Sequence, residues 1–209
     1  MIFSGILFSY LLGSIPTAYI FGKLSKGIDI REHGSGNIGA TNVFRVLGKG
    51  PGTIVLALDI FKGVLAVTLI AYVFGLTKVW NLIALAIAAV SGHNWTVFLQ
   101  FKGGKGIATS LGVLIGMSIQ IKGFGLVALL VLLVWILSVL ITRYISLSSI
   151  VAAASLPVLM VLSGQSFELV CFGILICVFV VLRHRPNIKR LLSGQEPRVP
   201  LRFGKPKNP

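Results

Sequence analysis

Residues 123–142 read GFGLVALLVLLVWILSVLIT, and Arg143-Tyr144 follows at once. The run contains no ionisable side chain. About 20 apolar residues at ~1.5 Å of rise each match the ~30 Å hydrocarbon core of a bilayer. A helix of this composition is apolar on every face, so the stretch reads as a membrane span. Outward from it, further apolar stretches occupy about 2–22, 53–74, 80–99, 106–120, 146–163 and 166–182. The one at 106–120 is the shortest and is interrupted by Gly112 and Gly116.

Composition agrees. The chain has 209 residues, 56% hydrophobic and 11% charged, with mean hydropathy +0.96. Soluble domains run nearer 45–50% apolar and about 25% charged. The expected architecture is all-α: one polytopic membrane bundle of seven transmembrane helices over 1–196, then a basic tail over 197–209. The first run has no basic segment before it and continues past any small-residue cleavage point, so it is expected to be a span and not a signal peptide. Cys171 and Cys177 lie in one apolar run on different helix faces, which suits neither a disulfide nor a zinc site.

The charges are distributed unevenly. Of 19 Lys and Arg residues against 5 acids, nearly all fall on one side if seven spans alternate. Lys23, Lys26, Arg31, Arg45 and Lys49 follow the first span, Lys102 and Lys105 the third, and Arg143 the fifth. The series from Arg183 to Lys207 follows the seventh. Lys78 and Lys122 take the other side, and Lys62 lies within the second span. The positive-inside rule then predicts a cytoplasmic basic face, with the N-terminus outside and the C-terminus inside. A net charge of +14 on such a chain points to anionic headgroups or phosphorylated substrates rather than nucleic acid.

Within those basic loops the residue types are those that hold phosphate. Gly34-Ser35-Gly36-Asn37-Ile38-Gly39-Ala40-Thr41-Asn42, then Arg45, combines turn-forming glycines with hydroxyl donors and a guanidinium fork. The same residues also make plain turns. Phe101-Lys102-Gly103-Gly104-Lys105-Gly106 precedes an apolar run and reads as a second nest at a helix start; a bare topology signal is the alternative. His93 beside Asn94 and Trp95 is either partnered inside the membrane or interfacial. Asp59 and Lys62, spaced i and i+3, pair on one helix face. Ser146 or Ser148 after Arg143 is a cap or a donor, and His184 and Asn187 sit among Arg183, Arg185, Lys189 and Arg190. These phosphate-suited stretches hold no carboxylate pair, and no His-x-x-x-x-Asp run, Glu-x-x-His or CxxC occurs, so neither a metal nor a cofactor is expected.

Three stretches in order resemble one family. They are Gly34 to Arg45 and Gly48, Gly92-His93 with Phe101 to Thr109, and Arg183 to Glu196. Together they resemble the bacterial acyl-phosphate:glycerol-3-phosphate acyltransferases of the PlsY type over nearly the whole chain. A proline frequent near Thr96 in that family is missing here. The resemblance implies an inner-membrane enzyme of phospholipid synthesis with its active site facing the cytoplasm. It would move an acyl group from acyl-phosphate to the sn-1 hydroxyl of glycerol 3-phosphate, the acyl chain lying between helices. The mechanism implied is substrate-assisted, with phosphate taking the hydroxyl proton. By resemblance, Ser35, Arg45, Lys105, Ser146, His184 and Asn187 make glycerol-phosphate and catalytic contacts. Backbone N–H groups at Gly36, Asn37, Gly103 and Gly104 hold phosphate, assisted by Thr41, His93 and Lys102. The rival reading is a transporter of phosphate or a phosphorylated solute; such proteins bind near the midplane between repeats, and no repeat is evident.

Overall fold

A computed structural model of the chain describes residues 1–199, and over them it is helical throughout its regular structure. The helices are α1 (Ile2–Ser14), α2 (Thr17–Lys26), α3 (Ala40–Val46), α4 (Lys49–Val67), α5 (Leu69–Val73) and α6 (Val79–Asn94). After these come α7 (Ile107–Gln120), α8 (Phe124–Thr142), α9 (Ile145–Leu162), α10 (Phe167–Arg183) and α11 (Arg185–Leu192).

Among the described residues, five helical segments are long and apolar enough to cross a membrane: Ile2–Lys26, Lys49–Val73, Val79–Leu99, Phe124–Thr142 and Ile145–Leu162. The pair α10 and α11, bent by 61°, makes a sixth if taken as one span. The run expected as the fourth span forms α7, only 14 residues long. At ~1.5 Å per residue it covers about 21 Å, short of the ~30 Å core. The chain before it is committed to an irregular loop, Lys102–Gly106, instead of adding helical turns. The first expected span is also interrupted. Ile15 precedes Pro16, whose ring disfavours helical geometry at the residue before it, and Ile15 takes an extended ψ of 114°.

Glycine sets how closely the helices approach. Among helix pairs, α1 with α6 and α4 with α7 are the most extensively packed. A methyl group on Gly112 would overlap the Ile60 carbonyl oxygen, and one on Gly63 the Thr109 carbonyl oxygen. Gly13 meets the Ala89 carbonyl and Gly92 the Tyr10 carbonyl in the same reciprocal manner. Small residues at a crossing bring backbones into contact where lipid offers no hydrophobic drive for helix association. The outer surface is the converse: on α8 only 22% of the span is buried, and Leu129, Leu133, Leu137, Leu140 and Ile141 are exposed. That face meets acyl chains.

Of the basic tail, Pro197–Val199 is described and is tied to the junction of α8 and α9. Arg198 Nε donates to the Tyr144 hydroxyl at 2.9 Å, and the Val199 N–H to the Arg143 carbonyl at 2.8 Å. Residues 200–209 lie outside the described residues.

Candidate functional site

The first glycine-rich loop is organised by one buried amide. Asn42 Oδ1 accepts the Ser35 N–H at 2.8 Å, while its Nδ2 donates to the carbonyls of Ile30 and His33. Gly34 and Gly36 have φ of +62° and +69°, values that side chains disfavour. A Cβ on Gly34 would also strike the Asn42 amide. The loop then enters α3, where Thr41 and Arg45, at i and i+4, share a face. Ser35, Gly36, Asn37, Thr41 and Arg45 all border one large cavity.

The second loop is built differently from a phosphate nest. The Gly103 N–H donates to the Asn94 carbonyl at 3.2 Å and the Gly104 N–H to the His93 carbonyl at 3.0 Å. Their own carbonyls accept from Arg183: Nε to Gly104 at 3.0 Å, and a terminal nitrogen to Gly103 at 2.9 Å and to Gly104 at 2.7 Å. Neither glycine borders the large cavity, and Lys102 is exposed away from it. The expectation that these backbone donors and Lys102 face phosphate is therefore corrected: the N–H groups are used in seating the loop. What the loop delivers is Lys105, with Ile107 and Ala108 at the free N–H end of α7 bordering the same cavity.

The third element is the bend between α10 and α11. His184 Nδ1 lies 2.8 Å from the Val180 carbonyl. A carbonyl can only accept, so Nδ1 carries the proton and Nε2 is the ring's remaining position. Past the bend, Asn187 and Arg190 share the face of α11 turned to the cavity. Asn187 Oδ1 accepts from Lys105 Nζ, and its Nδ2 donates to Glu196 Oε1 at 2.6 Å. Glu196 Oε2 accepts from Arg190 Nε at 2.8 Å. Burial works against charge on Glu196, but Ser146, Asn187 and Arg190 outweigh it and hold its carboxyl below the usual range. Burial pushes the Lys105 ammonium down to about 8, with Glu196 opposing and Arg190, Arg45 and Arg183 adding to the shift. Ser146 is buried at the start of α9, beside the Glu196 carboxylate.

The cavity holds about 880 Å³. Its polar end carries Ser35, Thr41, Arg45, Lys105, Ser146, His184, Asn187, Arg190 and Glu196; beyond them it is walled by apolar side chains of α4, α7, α8, α9 and α10, including Leu56, Leu111, Val131, Trp135, Leu156 and Ile176. His93 borders it too, but its Nδ1 faces Asp59 at 3.6 Å and its Nε2 is packed against Gly104. Two carboxylates, Asp59 and Glu196, border the cavity, where no carboxylate pair was expected. Both are spent on neighbouring donors rather than free to take a proton. Asn42 and Glu196 were not singled out from the sequence. Glu196 carried a signal: it is one of 5 acids in a chain of net charge +14, directly after a cationic run. Asn42 carried none, since Asn in a Gly-rich turn is commonplace.

A multi-span membrane protein with a cationic cavity opening into an apolar cleft is one that handles phosphorylated molecules beside hydrocarbon. The comparisons make this specific. The family model described as glycerol-3-phosphate acyltransferase matches residues 3–194, and the chain belongs to that family. A glycerol-3-phosphate acyltransferase of Trichormus variabilis is 46% identical, with 93% of this chain and 90% of that protein covered. The crystal structure of PlsY, an integral membrane glycerol 3-phosphate acyltransferase, in its glycerol 3-phosphate form has a TM-score of 0.86 at 42% identity. It covers 95% of this chain and 96% of its own. The lysophosphatidic acid form of PlsY gives 0.83 at 41% identity, covering 95% of each chain.

Proposed function

We propose that this glycerol-3-phosphate acyltransferase takes its acyl group from acyl-phosphate and delivers it to the sn-1 hydroxyl, at the cytoplasmic face of a bacterial inner membrane. The observation that carries the reading is the single cavity in which Arg45, Lys105, Arg190 and the N-terminus of α7 surround one polar end of an apolar cleft. That is room and charge for two phosphates side by side, with hydrocarbon behind one of them. In this reading α7, lengthened by the loop before it, counts as the fourth of seven spans, with the N-terminus outside and the C-terminus inside.

Acyl-phosphate is a mixed anhydride with a good leaving group, so it needs orientation and charge neutralisation more than a protein nucleophile. The sn-1 oxygen attacks the acyl carbonyl carbon, the bond from that carbon to the phosphate oxygen breaks, and the hydroxyl proton passes to the departing phosphate. Lysophosphatidic acid and inorganic phosphate result. Lys105 and Arg45 neutralise phosphate charge, Ser35, Thr41 and the Gly36–Asn37 turn donate to its oxygens, and Ser146, His184 and Asn187 orient the glycerol hydroxyls. Asn187 is itself held by Glu196. The ionised carboxylate of Glu196 acts as an anchor and not as a base.

The test is direct. Purified protein in lipid, given acyl-phosphate and glycerol 3-phosphate, is expected to release inorganic phosphate in step with a 1-acyl product. Equal or faster acylation from an acyl thioester, or a 2-acyl product, would overturn the donor or the position. Uptake of glycerol 3-phosphate into sealed liposomes without acyl transfer would favour transport.

A further inference from the structure

Asp59, Lys62 and His93 form an ionisable cluster at the edge of the cavity, which Asp59 and His93 border; the three are 1%, 4% and 8% exposed and have no part in the chemistry just described. Asp59 Oδ1 accepts the Thr17 hydroxyl at 2.8 Å, pairs with Lys62 Nζ at 2.9 Å and faces His93 Nδ1 at 3.6 Å. Lys62 Nζ also donates to the Ile15 carbonyl at 3.0 Å, which accepts the Thr17 N–H as well, at the break before Pro16. The cluster therefore joins the α1–α2 break, α4 and α6 at one point.

Its other side meets the second glycine loop. The His93 carbonyl accepts the Gly104 N–H, and the His93 ring lies so close to Gly104 that a side chain there would overlap Nε2. Lys105 is the next residue. Arg183 holds the same backbone from the opposite side, through the Gly103 and Gly104 carbonyls. Stability alone does not call for the cluster. Charges within a span are costly, and well-packed apolar residues often replace a buried ion pair with no loss of stability. The geometry points to a different role: we infer that Asp59, Lys62 and His93 are positioning residues that seat the Gly103–Gly104 backbone and so aim Lys105 at the phosphate site.

The inference rests on Lys105 serving that site. The variant that separates the readings is Asp59→Leu combined with Lys62→Met, which removes both charges and leaves apolar volume. Its thermal unfolding is expected to stay near that of the parent. Its kcat/KM for glycerol 3-phosphate is expected to fall by up to about 10²-fold, the scale of an ångström-sized misplacement, chiefly through KM. The alkaline limb of its pH profile should move up as the Lys105 ammonium gains solvent. His93→Asn, which keeps a donor toward Asp59, should restore part of what His93→Ala loses. Parental kcat/KM and an unmoved limb in the double variant would overturn the positioning role. If that variant does not fold, Thr17→Val deletes one hydrogen bond to Asp59 at constant shape: a raised KM supports the role, and parental kinetics overturn it. Parental turnover in Lys105→Ala would instead sink the assignment of Lys105 itself.

Discussion

Lys105 is unusual because of where the chain carries it. A lysine flanked by glycines on a loop would ordinarily be solvated; here it is half-buried, its Nζ against Asn187 Oδ1. Lys105→Ala removes a cation where transition-state charge gathers, and a loss of about 10²–10³ in kcat is expected, with thermal unfolding unchanged as the control. The pH dependence follows from the lowered value of about 8. Below it Lys105 is charged and binds phosphate; above it the amine is neutral and that attraction is lost. The kcat/KM for glycerol 3-phosphate should therefore fall as pH rises through about 8. Lys105→Arg keeps its charge, so whatever activity it retains should be flat over that range. Glu196 acts one bond further out. Its carboxylate fixes which end of the Asn187 amide faces Lys105. Glu196→Ala frees that amide to turn, and a fall of about tenfold in kcat/KM is expected, the equivalent of ~1.4 kcal/mol for one charge-assisted contact.

Each helix does one job for the site. The pair α4 and α7 brings Ile60, Leu111 and the Lys105 end of α7 to the cavity, and glycines let the two backbones touch. Gly112→Ala would drive a methyl into the Ile60 carbonyl. A destabilisation of about 1–3 kcal/mol is expected from such overpacking, read as a lowered midpoint of thermal unfolding in detergent. Pro16 holds Ile15 out of helical geometry, which turns the Ile15 carbonyl to accept both the Thr17 N–H and Lys62 Nζ. The bend between α10 and α11 turns His184, Asn187 and Arg190 back over the mouth of the cleft. These local features differ in how plainly the sequence announces them. The apolar runs and the cationic stretch after α10 were readable at once. So was the shortness of the run at 106–120. The break at Ile15–Pro16 and the seating of the loop before α7 were not, because hydropathy registers apolar length and is blind to a local break or to a loop that satisfies its N–H groups on another helix.

At the scale of the molecule, the basic loops that lie far apart in the chain share one cavity: Arg45, Lys105 and Arg190 border it together. Its opening toward the cytoplasm is the topological half of the proposal. With Cys171 and Cys177 replaced by alanine, single cysteines at Lys78 or Lys122 should react with an impermeant reagent on intact cells. Cysteines at Lys49 or Lys189 should react only once the membrane is opened. Labelling of both sets from the same side would reverse or break the seven-span arrangement.

Much was determined by the one-dimensional string. Membrane residence, the crowding of cations toward one end and the three phosphate-suited stretches follow from composition and short-range order, which neighbouring residues alone create. Tertiary structure decided what those stretches do. Only folding brings Gly104 onto His93, Arg183 onto the glycine carbonyls and Glu196 onto Asn187. These contacts span separations from 9 to 80 positions, and no local pattern encodes which buried donor will meet which acceptor. The second glycine loop shows the difference: its sequence suits an anion nest, yet its N–H groups are taken by α6, and the cation it presents is what remains for phosphate.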